Sequence, residues 1–247
     1  MHLVLVISSL KRGGAERVAT TLANAWVGRG EAVTIVTLDE EEKKPVFQLA
    51  SDVRLLHISR GRGPLDMLML IWQLRQQLIT LKPSYVISFL YKINVITLLS
   101  AIGLKTPVVV AEHNYPGNIS VTAAWRFWRA YTYPWSHRLI TLTQRALEYF
   151  PKELQSNGCV IENPLAPEFF DCQWLGSKGE IRQLVAMGSL SKQKGFDLLL
   201  RAFAKVTTTH KEWKLTIWGE GDCRSELEEL RGELALGEQV ELPGMTE

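Results

Sequence analysis

The sequence predicts an α/β fold made of two doubly wound parallel-sheet domains, the second of them incomplete, and three observations support this. Short apolar runs of strand length alternate with longer amphipathic stretches of helix length. Many of the short runs are continuously apolar, which is typical of parallel strands buried on both faces. The alternation breaks off and then restarts, which predicts a domain at 1–164, a linker at 165–180 and a second domain at 181–247.

Seven apolar runs predict the strands of the first domain, with helical stretches between them. The first helix carries one apolar face from Ala15 to Trp26 and ends at Gly28 and Gly30. A later helix covers Leu65–Leu81. The predicted strands are Leu3–Ile7, Val33–Leu38, Val53–His57, Tyr85–Phe89, Val108–Ala111, Leu139–Leu142 and Cys159–Ile161.

The second domain repeats this pattern over a shorter length. Its predicted strands are Gln183–Met187, Lys214–Trp218 and Gln239–Leu242, and its predicted helices are Gly195–Val206 and Asp222–Leu236. Three strands and two helices are half of a doubly wound sheet, so one sheet edge and part of the core would stay uncovered. We therefore expect a truncated chain or a fragment of a longer one.

The composition is that of an ordinary globular protein and excludes several classes. With 46% hydrophobic residues, 22% charged residues and eight Trp, the chain can form a core, which excludes a disordered protein. The three cysteines form no CxxC pair, which indicates a reducing compartment. The N-terminus lacks the basic region of a signal peptide, and the longest apolar stretch, Ile93–Leu104, is shorter than the roughly 18–20 residues of a spanning helix. A cytoplasmic protein is therefore expected.

A pair of glycines, Gly13 and Gly14, follows the basic residues Lys11 and Arg12 between the first strand and the first helix. Glycines allow a ligand to approach the backbone, and a helix N-terminus offers unbonded N–H groups to a phosphate. The alternative interpretation is a tight turn with solvated basic residues. The pattern is not GxGxxG, which argues against a dinucleotide site and a nicotinamide-dependent oxidoreductase.

Three polar residues, Glu112, His113 and Asn114, directly follow the predicted strand Val108–Ala111. Open α/β sheets bind ligands outside the carboxyl ends of their strands, and a histidine there can hydrogen-bond to a substrate. These residues are therefore candidates for substrate contact, and a loop-capping role is the alternative.

The stretch from residue 124 to 135 is rich in aromatic side chains with two arginines between them. As a helix it would suit an anionic membrane interface, and the lack of acidic residues from 113 to 147 favours this interpretation. A nucleic-acid surface and a core helix with inward rings are the alternatives. The predicted docking residues are Trp125, Arg126, Trp128 and Arg129.

A second basic loop joins the first strand of the second domain to its first helix. Small residues and lysines at a helix N-terminus suit an anionic phosphate, although the spacing is not that of a Walker loop. A solvated basic loop is the alternative. The candidate phosphate-binding residues are Gly188, Ser189, Lys192 and Lys194.

Six stretches along nearly the whole chain share their residues and their order with one enzyme family. They are VISSLKRGGAERVATTLANAW, KPSYVISF, PVVVAEHN, VIENP, GSLSKQKGFDLLLRAFAKV and WKLTIWGEGD. These stretches resemble the family-4 retaining glycosyltransferases, in particular the subgroup that builds bacterial exopolysaccharides and lipid-linked oligosaccharides. The resemblance implies two Rossmann-like domains in the GT-B arrangement, in which the N-terminal domain receives the acceptor and the C-terminal domain binds the nucleotide sugar.

The resemblance also implies roles for single residues. Gly13 and Gly14 match the glycine loop that approaches the donor phosphates and the acceptor, and Glu16 follows them on the acceptor side. His113 matches the histidine near the transferred sugar, and is the expected catalytic residue. Lys194 matches the lysine that neutralises the leaving diphosphate. The expected donor is a UDP-sugar, with neither a cofactor nor a metal ion.

Two departures from the family pattern qualify this expectation. Ser189 stands where the family usually has an arginine, which removes a bidentate phosphate contact, and Lys192 would compensate for it as a hypothesis. Family members also continue further, into a segment with two glutamates that hold the donor.

The sequence therefore predicts a retaining hexosyltransferase of bacterial polysaccharide biosynthesis. Its predicted partners are a nucleotide sugar, a lipid-linked saccharide acceptor and the anionic inner-membrane surface, and nucleic acid is not among them. Its predicted place is the inner face of the cytoplasmic membrane, as a peripheral protein. The alternative is a catalytically incomplete fragment with a folded acceptor domain only.

Overall fold

The structure is a computed structural model and describes residues 1–38, 44–59, 65–117, 121–165 and 182–245. The chain divides into two compact units, unit 1 (Met1–Asp171) and unit 2 (Cys172–Glu247). Each unit is built on a parallel sheet with helical connections, as the sequence predicts. Apart from Leu165, the predicted linker at 165–180 lies outside the described residues.

Unit 1 contains every strand that its sequence predicts, with ends that differ by no more than one residue. The strands are β1 (His2–Ile7), β2 (Ala32–Thr37), β3 (Arg54–His57), β4 (Tyr85–Phe89), β5 (Val108–Glu112), β6 (Arg138–Thr141) and β7 (Gly158–Val160). The helices are α1 (Gly14–Val27), α2 (Asp66–Leu81), α3 (Tyr91–Ser100), α4 (Ala123–Thr132), α5 (Gln144–Glu148) and α6 (Lys152–Ser156), and a 3₁₀ turn covers Tyr133–Trp135.

The seven strands are parallel and stand in the order β3-β2-β1-β4-β5-β6-β7. The order reverses between β1 and β4, which makes this pair the switch point where ligands bind in doubly wound sheets. The continuous apolar run of β1 is buried from Leu3 to Ile7, because the strand has neighbours on both sides and helices over both faces.

Helix α1 covers one face of this sheet with the apolar stripe that its sequence predicts. The stripe residues Ala15, Val18, Ala19 and Ala23 are buried. Leu22 and Trp26 pack against the same core. On the other face, α3 contacts both α2 and α4 and is buried on almost all sides from Ile93 to Leu98. No helix in the described part of the chain is both long and apolar enough to cross a membrane.

Unit 2 is the smaller unit and has one core. Its strands are β8 (Gln183–Met187), β9 (Lys214–Trp218) and β10 (Val240–Gly244), in the order β10-β9-β8, and its helices are α7 (Phe196–Thr207) and α8 (Arg224–Glu233). Leu200, Phe203 and Ile217 lie at the centre of the core. Among the described residues β8 is bonded to β9 alone and is largely exposed, so the predicted uncovered edge is present there.

Candidate active site

Two of the predicted motifs of unit 1 lie at the same edge of its sheet. The glycine loop follows β1, with Leu10 buried and Lys11 and Arg12 exposed. His113 follows directly after β5. Because β1 pairs with β4, and β4 with β5, in parallel, both motifs belong to the carboxyl edge, where α/β sheets bind ligands.

The glycine loop begins α1 and carries a carboxyl group over its first residue. Gly13 is the N-cap, with an extended backbone, and its carbonyl accepts the Arg17 N–H at 3.0 Å. A Cβ on Gly13 would collide with the Glu16 carboxyl, whereas a Cβ on Gly14 would meet nothing. Burial raises the pKa of Glu16, and a backbone hydrogen bond opposes that rise. The carboxyl group of Glu16 therefore partly covers the start of α1.

Glu112 and His113 are adjacent in sequence but lie on opposite faces of the sheet, because successive side chains of a strand alternate. The His113 ring packs on Phe89, which belongs to the core on the α1 face. The Glu112 carboxyl accepts a hydrogen bond from Tyr133, which belongs to the core on the other face. The sheet thus divides the predicted Glu112–His113–Asn114 cluster.

His113 lies half-buried at an apolar groove of about 280 Å³ on the α1 face. Its ring centroid is 5.3 Å from that of Phe89, and the Asn163 side chain hydrogen-bonds it. Burial lowers the pKa of His113, although the Asn163 bond opposes the change. The imidazole is therefore neutral at pH 7 and has one donor and one acceptor nitrogen. Asn114, also half-buried, follows it in the loop.

Asn163 is a site residue that the residue patterns do not single out. It lies beyond β7, far from His113 in sequence, and no local pattern connects the two. Its one signal in the sequence is the stretch VIENP, which belongs to the family resemblance.

The structure corrects the prediction that Glu112 contacts the substrate. The residue is 2% exposed, and its carboxyl bonds the Tyr133 hydroxyl, which in turn accepts from Asn94 Nδ2 at 3.0 Å. Burial raises the pKa of Glu112 to about 7, and the Tyr133 hydrogen bond and the Arg129 charge limit the rise. A carboxyl enclosed in this way belongs to the interior and does not reach a bound molecule.

Helix α4 turns two of its four predicted docking residues inward. Arg129 is 7% exposed and its guanidinium lies over the Tyr149 and Phe150 rings, at 5.5 and 5.6 Å. Trp125 packs against the core and meets the Tyr91 ring edge-on at 6.2 Å. The prediction that both face outward is wrong, because positions four residues apart share one side of a helix, and here that side is the inner one.

The outer side of α4 carries an exposed aromatic cluster that continues into the 3₁₀ turn. The Phe127 and Tyr131 rings stack at 6.2 Å, Trp128 meets both edge-on, and Trp135 meets Tyr131 at 4.9 Å. Phe127 is 63% exposed, and Arg126 is exposed beside it. We call Phe127, Trp128, Tyr131 and Trp135 the α4 aromatic face.

The basic loop of unit 2 lies between β8 and α7, at the carboxyl edge of its sheet. Lys192–Lys194 forms a 3₁₀ turn, and Gly195 takes the left-handed φ of +66° before the helix begins. A Cβ on Gly188 would lie 3.7 Å from Cδ and Cε of Lys194, so the lysine stem passes over this glycine. The structure therefore places the stem of Lys194 beside Gly188, two of the four residues of the predicted phosphate site.

The other two predicted residues of this loop are at the surface. The exposed Ser189 places its Oγ 3.2 Å from Ser191 Oγ, and Lys192 is exposed. A serine hydroxyl donates one hydrogen bond, whereas an arginine offers a planar fork of donors, so position 189 offers less to a phosphate than an arginine would.

The loop after β9 packs directly on this basic loop. The Gly188 amide donates to the last carbonyl of β9 at 2.9 Å. A Cβ on Gly219 would overlap the Gly188 carbonyl, and one on Gly221 would meet the Leu190 carbonyl. Gly219 and Gly221 are thus further candidate residues for the phosphate site, which the residue patterns left out. Two glycines separated by one residue, directly after a strand, are the sequence feature that indicates them.

Two family models match the chain, one in each unit. The model described as a glycosyl transferase 4-like domain matches residues 13–156, and the one described as glycosyl transferases group 1 matches residues 173–247.

Named relatives match over nearly the whole chain. An α-1,4-N-acetyl-D-galactosaminyltransferase of Campylobacter jejuni is 30% identical over 236 residues, which cover 92% of this chain and 64% of that protein. Its name gives the acceptor as GalNAc-α-(1→4)-GalNAc-α-(1→3)-diNAcBac-PP-undecaprenol. The amylovoran biosynthesis glycosyltransferase AmsD of Erwinia amylovora is 25% identical over 97% of this chain and 68% of its own length. The chain thus spans about two thirds of these relatives.

Solved structures share the fold. Anabaena HepE in complex with UDP and glucose has a TM-score of 0.73 at 17% identity, over 99% of this chain and 69% of HepE. Sucrose-phosphate synthase from Thermosynechococcus elongatus has a TM-score of 0.77 at 13% identity, over 100% of this chain and 71% of that one. Identities this low speak for the fold alone. Because the first family model covers more than half of the residues, the chain belongs to the glycosyl transferase 4-like family.

Proposed function

We propose that this protein is a retaining glycosyltransferase that moves a hexose from a UDP-sugar to a lipid-linked saccharide acceptor in bacterial polysaccharide biosynthesis. The observation that carries the proposal is the position of Lys194 in the turn before α7, where its Cδ and Cε lie 3.7 Å from the place that a Cβ on Gly188 would take. This position brings a cation near the backbone after β8 and near the N-terminus of α7, and these groups together suit a diphosphate. The UDP of the HepE complex and the acceptor in the Campylobacter enzyme's name support the two substrates. Retention rests on the family resemblance of the sequence.

In unit 2, the proposed task is to stabilise the leaving diphosphate. Negative charge grows on its oxygens as the bond to the sugar breaks, and a cation in place lowers the energy of that state. The stem of Lys194 passes over Gly188, and Lys192 is exposed in the same turn. We expect Lys194 to contribute most and Lys192 to offset the absence of an arginine at Ser189.

In unit 1, the proposed task is to hold the acceptor and to face the transferred sugar. The Glu16 carboxyl over Gly13 offers hydrogen-bond acceptors, which suit sugar hydroxyls better than a phosphate. The exposed Gly14 allows a ligand to approach the first turn of α1. The neutral imidazole of His113 hydrogen-bonds to the sugar that moves.

The α4 aromatic face is proposed to rest on the anionic inner surface of the cytoplasmic membrane. Aromatic rings beside basic groups favour the interface between lipid headgroups and acyl chains. Arg126 is exposed on the same helix, and the chain has no acidic side chain from 113 to 147. A lipid-linked acceptor would be presented at that same surface.

The donor site is tested by calorimetric titration with UDP. We expect Lys194→Ala to weaken binding about tenfold or more, as for a lost hydrogen bond to a charged group, and Lys192→Ala to weaken it less. Lys205→Ala removes an exposed lysine from the far end of α7 and is the matched control. Equal affinity of Lys194→Ala and the unchanged protein would contradict the site, and unchanged affinity of Lys192→Ala would remove its compensating role. A panel of nucleotide sugars then identifies the donor.

The membrane surface is tested by co-sedimentation with anionic vesicles. Replacing Phe127 and Trp128 together by serine should abolish binding, while neutral phosphatidylcholine vesicles should bind weakly in every case. Leu198→Ser, which changes an exposed leucine of α7, is the control. Undiminished binding of the double variant would contradict docking through α4.

A further inference from the structure

A buried polar cluster lies behind His113, on the opposite face of β5. It consists of Glu112 on β5, Asn94 on α3, Arg129 on α4 and Tyr133 in the 3₁₀ turn, and all four are buried. The proposed function uses none of these side chains directly. The cluster nevertheless adjoins His113, because Glu112 is the residue directly before it.

Hydrogen bonds tie this cluster to the backbone of β5. Asn94 Nδ2 donates to the carbonyl of Ala111 at 3.2 Å and to the Tyr133 hydroxyl at 3.0 Å, and that hydroxyl donates to the Glu112 carboxyl. Burial raises the pKa of Tyr133 well above its ordinary value, so the hydroxyl keeps its proton and remains a donor. Hydrogen bonds from α3 and from the 3₁₀ turn therefore hold the last two residues of β5 in place.

Arg129 extends the cluster toward α5. Its Nη2 donates to the Tyr149 hydroxyl at 3.5 Å, and its charge lowers the pKa of Glu112. Its Nη1 has no hydrogen-bond partner among the described residues, and the same holds for Asn94 Oδ1. Burying such groups costs more than burying apolar side chains of the same size. Packing alone does not explain why polar groups stand at this place.

On the other face of β5, the position of the His113 ring depends on where these hydrogen bonds hold the end of the strand. There the His113 ring meets Phe89 and the Asn163 side chain. The ring leaves the strand one residue after Glu112, so a small rotation of the strand end would move the ring against both neighbours. Reactive groups tolerate little displacement, and an error of about 1 Å can cost about 100-fold in rate.

We propose that Glu112, Tyr133 and Asn94, with Arg129 beside them, form a positioning cluster that holds the end of β5 and thereby sets the orientation of the His113 imidazole. The cluster does not touch the substrate and acts through the strand. Its value for catalysis rests on the proposed function of His113, whereas its effect on the orientation of the ring does not.

Protonation of Glu112 changes the charge inside this cluster near neutral pH, because burial raises its pKa to about 7. The ionisable groups that face it are Tyr91 from α3, Arg129 from α4 and Tyr133 from the 3₁₀ turn. His113 lies on the far face of its own strand. A change of charge at Glu112 should therefore reach the imidazole as a change in its surroundings.

The test follows the ring nitrogens of histidine by NMR in protein with ¹⁵N-labelled histidine, which has only five such residues. His113→Asn identifies the His113 signals. In the unchanged protein these signals should titrate in two steps, one from the ring and one near pH 7 from Glu112. Glu112→Gln should remove the second step, and Tyr133→Phe should shift the signals and alter that step.

Controls separate positioning from loss of folding. Glu148→Gln makes the same chemical change at an exposed carboxyl at the end of α5 and should leave both steps intact. Thermal melting shows which variants are folded. If Tyr133→Phe does not fold, Glu112→Gln alone tests the proposal. His113 signals that match the unchanged protein in a folded Glu112→Gln variant would overturn the proposal.

A kinetic arm keeps this inference distinct from the proposed function. In a transfer assay Tyr133→Phe should lower kcat by about 10-fold to 100-fold with less than about twofold change in KM, as expected for a displaced group. Shifted His113 signals with unchanged kcat would support the positioning cluster and contradict the role of His113 in transfer.

Discussion

Both units begin with a parallel strand, a glycine-containing loop and a helix, yet side chains of opposite charge lie over one glycine of each loop. At α1 the Glu16 carboxyl lies over Gly13, whereas at α7 the Lys194 stem lies over Gly188. Over the glycine itself, one backbone design thus places a carboxyl group in unit 1 and a lysine stem in unit 2, although the unit 1 loop also carries the exposed cations Lys11 and Arg12. The same fold therefore carries different side chains over the glycines of its two loops, so the fold alone does not set the chemistry at these positions.

The two first strands differ as well. β1 is bonded to β2 and β4 and is buried, whereas β8, among the described residues, is bonded to β9 alone. Val185 in the middle of β8 is 61% exposed. Similar apolar sequences therefore have different environments, because burial depends on the neighbouring strand.

Matched leucine substitutions in these strands should give the largest difference. Leu5→Ala removes a fully buried side chain from β1 and should lower the free energy of unfolding by about 2–5 kcal/mol. Leu184→Ala changes a partly exposed side chain of β8 and should cost less than about 1 kcal/mol. Urea unfolding measures both. Similar losses in the two variants would show that β8 is covered in solution.

Unit 1 buries an ionisable carboxyl, that of Glu112, whereas the carboxylates paired with Arg224 in unit 2 are at the surface, which predicts a pH dependence that comes from unit 1. Because the pKa of Glu112 in the folded protein, about 7, lies above its ordinary value of 4.5, the folded state holds this proton longer than the unfolded state. As the pH rises from about 4.5 to about 7, the free energy of unfolding should therefore fall, and Glu112 should account for up to about 3 kcal/mol of this loss. Chemical unfolding across this range measures the slope.

Glu112→Gln should flatten that slope, since glutamine resembles the protonated acid and does not ionise. Glu148→Gln, at an exposed position, should keep it. A slope that persists in a folded Glu112→Gln variant would mean that another group carries it.

The two glycine loops should respond differently to alanine. Gly195 has a φ of +66°, and alanine there should destabilise the protein by about 1 kcal/mol. Gly14 starts α1 with free space around it, so Gly14→Ala should leave stability unchanged or raise it by less than about 1 kcal/mol. Thermal melting measures both. If Gly14→Ala melts normally but transfers sugar more slowly, the backbone approach at Gly14 is functional.

The smallest effect is expected at the surface charges of unit 2. Arg224 pairs with Glu220 at 2.9 Å and with Glu228 at 3.1 Å, all on or beside α8. Arg224→Ala should cost about 1 kcal/mol or less, and added salt should reduce the difference. A loss as large as that of Leu5→Ala would instead point to the Arg224 hydrogen bond to the Leu242 carbonyl, at 2.7 Å, as the main contribution.

The sequence was sufficient for the elements and for the glycine loops. The strand runs, the apolar face of α1 and the position of each loop between a strand and a helix could be predicted because each depends on neighbours a few positions away. The predictions at Glu112, Trp125 and Arg129 were wrong because the aromatic and polar composition of a segment does not state which side meets the core. Asn163 was missed because its partner, His113, lies far away in sequence.

Local patterning thus settled that this chain alternates strands and helices and that glycines precede α1 and α7, since periodicity and backbone freedom act over short distances. The packing of distant segments settled what each group does there. Glu112 became an interior acid because α3 and the 3₁₀ turn bring Asn94 and Tyr133 to it. His113 became a neutral imidazole at an apolar groove because it lies on the opposite face of the sheet, beside Asn163. The face of the sheet on which a side chain lies, and the residues that surround it there, follow from contacts between segments that are far apart in the sequence.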